Sequence, residues 1–190
     1  MQRIKAATLV GVFTQYGSQQ ETDKLQAVWG QLPAGISTQA ESKYLYANTL
    51  RQAGADLVCA AFIVDSNKAV QDEKLVELYG RLRHDDMLPQ AIVQAQQWLD
   101  AQPDNPVNLL LSGRLYKEQK DYEQARQYYV SSLNQAPNAA AYLELAEMLE
   151  IMGEHEQAAR CYRVGLRCSI RGEGERLVQD SATRLLKVAG

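Results

Sequence analysis

The sequence predicts an all-α chain, a right-handed solenoid of antiparallel helix pairs closed by a C-terminal capping helix. Three observations predict it. Small residues recur at a fixed interval: Ala47, Gly80, Gly113 and Ala146 stand 33 residues apart, each in an apolar helical context. A second small set, Cys59, Ala91, Ala125 and Ala158, keeps nearly the same interval, at 32, 34 and 33. Short strings also repeat in register: residues 79–82 (YGRL) match 112–115 (SGRL), and 121–125 (DYEQA) match 154–158 (EHEQA). The turn glycines Gly54 and Gly153 lie three periods apart. Small residues let paired helices approach closely, and a constant period stacks one pair on the next.

The clearest copy is 104–137. Asn105 is placed to cap a first helix with Pro106 just inside it, where a missing N–H costs nothing. Leu109, Leu110, Gly113, Leu115 and Tyr116 follow at helical spacing. Asp121, with Gln124 three residues on, suggests a capping box for a second amphipathic run through Ala125, Tyr128, Tyr129 and Leu133 that stops at Pro137. A small residue at the helix crossing, another early in the second helix and a closing proline together resemble a tetratricopeptide repeat (TPR).

The other elements follow in order. Residues 1–36 read as a degenerate leading helix pair, with Ile4, Leu9, Val12 and Phe13 in the first run and Leu25, Val28, Trp29 and Leu32 in the second. Its apolar face is broad for an array end, which suggests continuation of a longer upstream array. Residues 37–171 hold about four TPR-like pairs. Thr38 and Glu41 suggest a capping box for a helix to Ala53, and its partner runs from Ala55 to Asn67. Asp72 opens the next pair, whose turn 84–87 leads to Pro89 at a helix start. The last pair covers 138–152 and 154–168. Residues 172–190 read as a loop and a capping helix, with Leu177, Leu185 and Leu186 inward and Arg176, Gln179, Asp180 and Lys187 outward.

Composition narrows the function. Apolar content of 46% suffices for folding, and a net charge of −3 gives no general attraction to nucleic acid or anionic lipid. No apolar run approaches the length of a membrane span, and the first eleven residues do not read as a secretory signal. Three cysteines are an odd count for a disulfide framework. Cys161 and Cys168 fall about 10 Å apart along one helix, too far to bridge. Core packing in a reducing compartment is the reading for all three.

Catalytic chemistry is not expected. His84 and His155 read as solvated turn histidines without metal-ligand spacing around them. No phosphate-cradling glycine loop or nucleophile motif is present. The carboxylates at 121, 123, 154 and 156 lie at helix starts, where they complement the macrodipole.

What remains is the inner face of the array. Residues one and four places after each small slot are expected to line a groove: Asn48, Arg81, Arg114 and Glu147, then Arg51, His84, Lys117 and Glu150. Arg51, Arg81, Arg114 and Lys117 make a basic stripe, with Tyr44 and Leu110 nearby. Periodic guanidinium groups suit carboxylates, either on an acidic peptide or as propionates. Ordinary solvated charges, some paired to groove glutamates, are the competing reading. Sparse aromatics and negative net charge make single-stranded nucleic acid a poor fit, and no nucleic-acid partner is expected.

Several stretches resemble one family in particular. Residues 29–33 (WGQLP), 75–82 (LVELYGRL), 95–99 (AQQWL), 102–106 (QPDNP) and 109–115 (LLLSGRL) occur in the order found in the C-terminal TPR region of HemY, the haem-biosynthesis-associated membrane protein of proteobacteria. The likeness covers about 26–166. It implies a bacterial inner-membrane protein anchored by helices ahead of this region. It also implies that the repeats face the cytoplasm, with the periplasm as the alternative. It links the chain to haem biosynthesis. With the repeat register, the groove cations and the missing catalytic set, the expected function is a non-catalytic scaffold that binds haem-biosynthesis enzymes in the groove, with no cofactor. Two rivals stay open: porphyrin or haem carriage in the groove with His84 as axial ligand, and self-association into a homo-oligomer.

Overall fold

A computed structural model of the chain describes residues 11, 13, 15–17, 21–171, 177–179 and 186–188. It divides into two units, Met1–Met87 and Leu88–Gly190, and each is taken by itself. The helices run in consecutive antiparallel pairs, a TPR-like all-α architecture.

The first unit contains α1 (Thr22–Gly30), the short α2 (Ala34–Ser37), α3 (Ala40–Gln52), α4 (Asp56–Ser66), α5 (Glu73–Tyr79) and a 3-10 turn at Asp85–Met87. Apolar residues at helical spacing turn Leu25, Leu50, Ile63 and Leu75 into one buried core. Aromatic rings close its leading end. Trp29 stacks on Tyr46 at 4.5 Å, and Phe62 meets both edge-on, at 5.1 and 4.8 Å. Phe13, fully buried, joins at 5.7 Å from Tyr46. The α3–α4 pair is tightened where both small slots meet, with the Cys59 thiol donating to the Ala47 carbonyl at 3.1 Å.

The second unit contains α6 (Leu88–Ala101), α7 (Pro106–Glu118), α8 (Tyr122–Gln135), α9 (Ala139–Ile151) and α10 (His155–Arg171). Caps set the helix starts as the sequence requires: the side chains of Asn105, Asp121 and Asn138 accept from the backbone N–H groups of Val107, Gln124 and Ala141. The α7–α8 crossing is close because Gly113 has no side chain; a Cβ there would meet the Tyr129 ring at 3.1 Å. The α9–α10 crossing repeats this at Gly165, where a Cβ would lie 2.9 Å from Tyr142 Cβ.

Three turns share one backbone motif. Gly54, Lys120 and Gly153 all take positive φ, at 74°, 68° and 77°. At each, the N–H groups of that residue and the next bond back to the final helical turn: Gly54 to Arg51 and Ala55 to Leu50, Lys120 to Lys117 and Asp121 to Tyr116, Gly153 to Glu150 and Glu154 to Leu149. These are Schellman caps in a common register, with lysine occupying one glycine position.

The structure departs from the sequence reading in several places. Gly80 is the C-cap residue just beyond α5 and only half-buried, because α5 is a short helix that stops at Tyr79. Thr38 caps nothing: its hydroxyl donates to Ala34 O at 2.6 Å, which ties it to α2, and α3 begins at Ala40 without a side-chain cap. The expected capping helix is replaced, where the backbone is described, by two antiparallel strands, Leu177–Gln179 and Leu186–Val188, in which Leu177 pairs with Val188. The helical reading there lacked an N-cap, two glycines precede it, and Val178 and Val188 favour extended backbone. Most of the expected leading helix, and the inward and outward assignments within 172–190, lie outside the described residues.

Candidate functional site

In the first unit, the stripe residues belong to α3 and to the segment after α5. Tyr44 is exposed on α3. One turn further on, Asn48 Oδ1 accepts from Arg51 Nε and Nη2 at 3.4 and 3.2 Å, so a neutral amide occupies that guanidinium. Arg81 is exposed and donates to Glu77 Oε1 at 2.5 Å, one helical turn back. Nearby Arg83 reaches Asp56 Oδ2 at 3.5 Å. His84 is not on the surface. It is buried against Tyr79, with ring centroids 5.2 Å apart, which corrects its expected place as a solvated groove residue. A buried imidazole in that position offers no axial nitrogen to a groove ligand.

In the second unit, Leu110 is buried rather than groove-facing. Arg114 and Lys117 do lie together on α7, and α9 supplies their partners. Arg114 donates from Nε to Glu144 Oε2 at 2.8 Å and from Nη2 to Oε1 at 2.7 Å, with only 11% of its side chain exposed. Lys117 stands 3.4 Å from Glu147 Oε2. The Tyr129 hydroxyl also reaches Glu144 Oε2, at 3.5 Å; burial first, and that carboxylate second, push its phenol well above the ordinary range. The stripe is therefore a ladder of internal pairs in which α9 neutralises α7. Acidic groups at 144 and 147 follow the cations at 114 and 117 by 30 residues, a signal the sequence carried and that the groove rule alone did not use.

The repeat-packing residues behave differently. Ala47, Gly113, Ala146, Ala91, Ala125 and Ala158 are all buried. Two further residues escaped the sequence reading. Arg126 on α8 is almost wholly buried, bonded to Glu154 at the start of the α10 pair member and 3.3 Å from Met152 Sδ. Asn108 is buried and donates to Trp98 O at 2.9 Å, which joins α7 to α6. Neither has a local sequence signature, since a buried polar residue declares itself only through its partner.

Reactive chemistry finds no support in the thiols. Burial pushes Cys59 up to about 12 and Cys161 to about 11, so both stay protonated at neutral pH. Cys168 is half-buried and also free. Among the described residues, no group of three His, Cys, Asp or Glu side chains is arranged to hold a metal ion. Nor is any described helix long and apolar enough to cross a membrane.

No protein-family model matches the chain, and no curated protein matches it. Solved structures do. The chain is similar to the structure titled "MamA MSR-1 C2" with TM-score 0.52 at 15% identity, over 86% of this chain and 98% of that one. It is also similar to "MamA RS-1 ArsTM double mutant" with TM-score 0.55 at 12% identity, over 87% of this chain and 97% of that one. At such identities the likeness is one of fold: the chain shares the TPR-like helix-pair architecture of MamA, a TPR-repeat protein.

Proposed function

We propose that the chain is a non-catalytic scaffold that docks partner proteins on the exposed faces of its helix pairs. The observation that carries this is the bidentate Arg114–Glu144 bond, which fixes the first helices of two consecutive pairs against each other. Side chains exposed on those helices are then held in a preformed arrangement, and a partner binds without ordering this side of the interface. The MamA likeness supports the repeat architecture on which such docking rests. The resemblance to the HemY repeat region supplies the setting of the proposal: haem-biosynthesis enzymes as partners at a bacterial inner membrane, with the repeats on its cytoplasmic side.

Internal pairing changes how the basic stripe acts in this reading. Arg51, Arg81, Arg114 and Lys117 set the rigidity and charge pattern of the faces, and a partner reads the surface formed by the cations with their acceptors. The test is affinity capture from a bacterial membrane extract with the immobilised wild-type chain and with Arg81→Glu/Lys117→Glu. Specific retention of proteins by the wild type, and loss of some from the variant, is expected. Equal recovery from both would remove these faces from the account, and no specific retention at all would remove the scaffold.

A further inference from the structure

The repeat register shows what covers the face each pair turns toward the next. On α8 that face is Arg126, Val130 and Leu133, all buried. The following pair covers it: Arg126 meets Met152 and Glu154, while Val130 and Leu133 share one core with Ala141, Tyr142 and Leu145. One period later the same positions are Ala159, Arg163 and Leu166 of α10, and all three are exposed. Leu133 is 0% exposed and Leu166 is 62%. The first helices differ in the same way, with Leu110 6% exposed on α7 and Leu143 47% on α9. Ile151 and Ile170 extend the open apolar surface. Among the described residues, the α9–α10 pair thus presents an unfilled stacking face of a kind that is filled one period upstream.

Its charges specify what fills it. Where α7 carries Arg114 and Lys117 to receive Glu144 and Glu147, α9 carries Glu147, which already accepts from Lys117, and Glu150, which accepts from the Tyr162 hydroxyl at 2.9 Å; both carboxylates stay exposed to a further basic group. A helix seated here needs an apolar stripe flanked by basic groups. The residues one period on do not provide one. The register would set Leu177 against Glu147 and Asp180 against Glu150, and the Leu177–Gln179 backbone is extended and lies against α8. The exposed stripe of α10 itself does provide one: Arg163, Leu166, Arg167 and Ile170, at i, i+3, i+4 and i+7, share one helical face.

We propose that the open α9–α10 face pairs with the same face of a second copy of this chain, in a two-fold dimer in which α10 of each copy lies along α9 of the other. Leu166 and Ile170 pack on Leu143 and Ile151, and Arg163 and Arg167 face Glu147 and Glu150. The two-fold axis makes every such contact twice, so one complementary set yields a closed assembly instead of an open filament. This interface is additional to the partner-docking reading above and stands without it.

The test is sedimentation velocity on the full chain and two charge-reversal variants, Glu147→Arg/Glu150→Arg and Arg163→Glu/Arg167→Glu, with circular dichroism to verify folding. Wild type is expected at twice the 21.2 kDa of one chain, with the dimer fraction falling as salt rises. Each variant alone is expected as a monomer, since its reversed groups face like charges at both contacts. Mixed one to one, the two variants regain both contacts and are expected to form a heterodimer. Leu166→Asp, which changes one exposed apolar residue, is expected to give a monomer that neither variant rescues. A monomeric wild type would overturn the proposal. So would a dimer that both reversals leave intact, or variants that fail to pair when mixed; anionic vesicles binding wild type while it stays monomeric would reassign the face to a membrane surface.

Discussion

Arg114 and Glu144 lie 30 residues apart in sequence and are joined by two parallel hydrogen bonds that span neighbouring helix pairs. The fork of the guanidinium matches the carboxylate, so the bond fixes direction as well as distance. It turns a basic stripe into a neutral strut and sets the stacking of α9 on α7. Tyr129 presses the same carboxylate from α8, which makes three helices share one polar junction.

The common Schellman caps give a prediction about single turns. Lys120 holds a conformation that its two counterparts leave to glycine. Left-handed backbone costs a residue with a Cβ about 1 kcal/mol. Lys120→Gly is therefore expected to be neutral or stabilising by up to about 0.5 kcal/mol once the looser unfolded chain is counted. Gly54→Ala and Gly153→Ala are each expected to destabilise by about 1 kcal/mol. Urea unfolding of the three variants checks this, and similar losses from all three would contradict it.

The small slots predict a graded series. Gly165→Ala forces a Cβ to within 2.9 Å of Tyr142 Cβ, an atom fixed to its own backbone. Gly113→Ala meets the Tyr129 ring at 3.1 Å, and a ring edge can shift by a few tenths of an ångström. Gly30, at the end of α1, has nothing within 4 Å of its added Cβ. Overpacking costs about 1–3 kcal/mol, against a gain of about 1 kcal/mol in helix propensity. The expected order of stability is Gly30→Ala above wild type or equal to it, then Gly113→Ala, then Gly165→Ala. Thermal melts rank them directly.

Alkali should loosen the fold. Burial pushes Cys59 to about 12, Cys161 to about 11, and Tyr46 and Tyr79 to about 12, from ordinary values of 9.0 for the thiols and 10.0 for the phenols. Below about pH 9 folded and unfolded chains both hold these protons, and their contribution is intact. Above it the unfolded chain releases protons that the fold retains, so stability falls as pH rises toward the folded values. The urea midpoint is expected to drop from about pH 9 to about pH 11, and to drop less in Cys161→Ala. Equal slopes for wild type and Cys161→Ala would remove that thiol from the explanation.

Much of this was legible in the sequence because repetition exposes packing. Cys59, Ala91, Gly113, Ala125, Ala146 and Ala158 are small because another helix passes there, and a period makes that visible without coordinates. Asn105 and Asp121 were legible because a cap acts over three residues. The misses are of the opposite kind. His84 looks like any turn histidine until Tyr79 covers it, and the Arg114–Glu144 bond needs two helices to be placed first. At 175–189 the apolar spacing suited a helix, but without a cap that spacing does not decide between helix and strand.

A double-mutant cycle on Arg114 and Glu144 tests the stacking register most directly. Urea unfolding of wild type, Arg114→Ala, Glu144→Ala and the double variant yields the coupling between them. The expected coupling is about 1–2 kcal/mol, with the double variant losing less than the sum of the single losses. Additive losses, with coupling near zero, would mean that α7 and α9 do not meet one period apart, and the stacked array would fall with them.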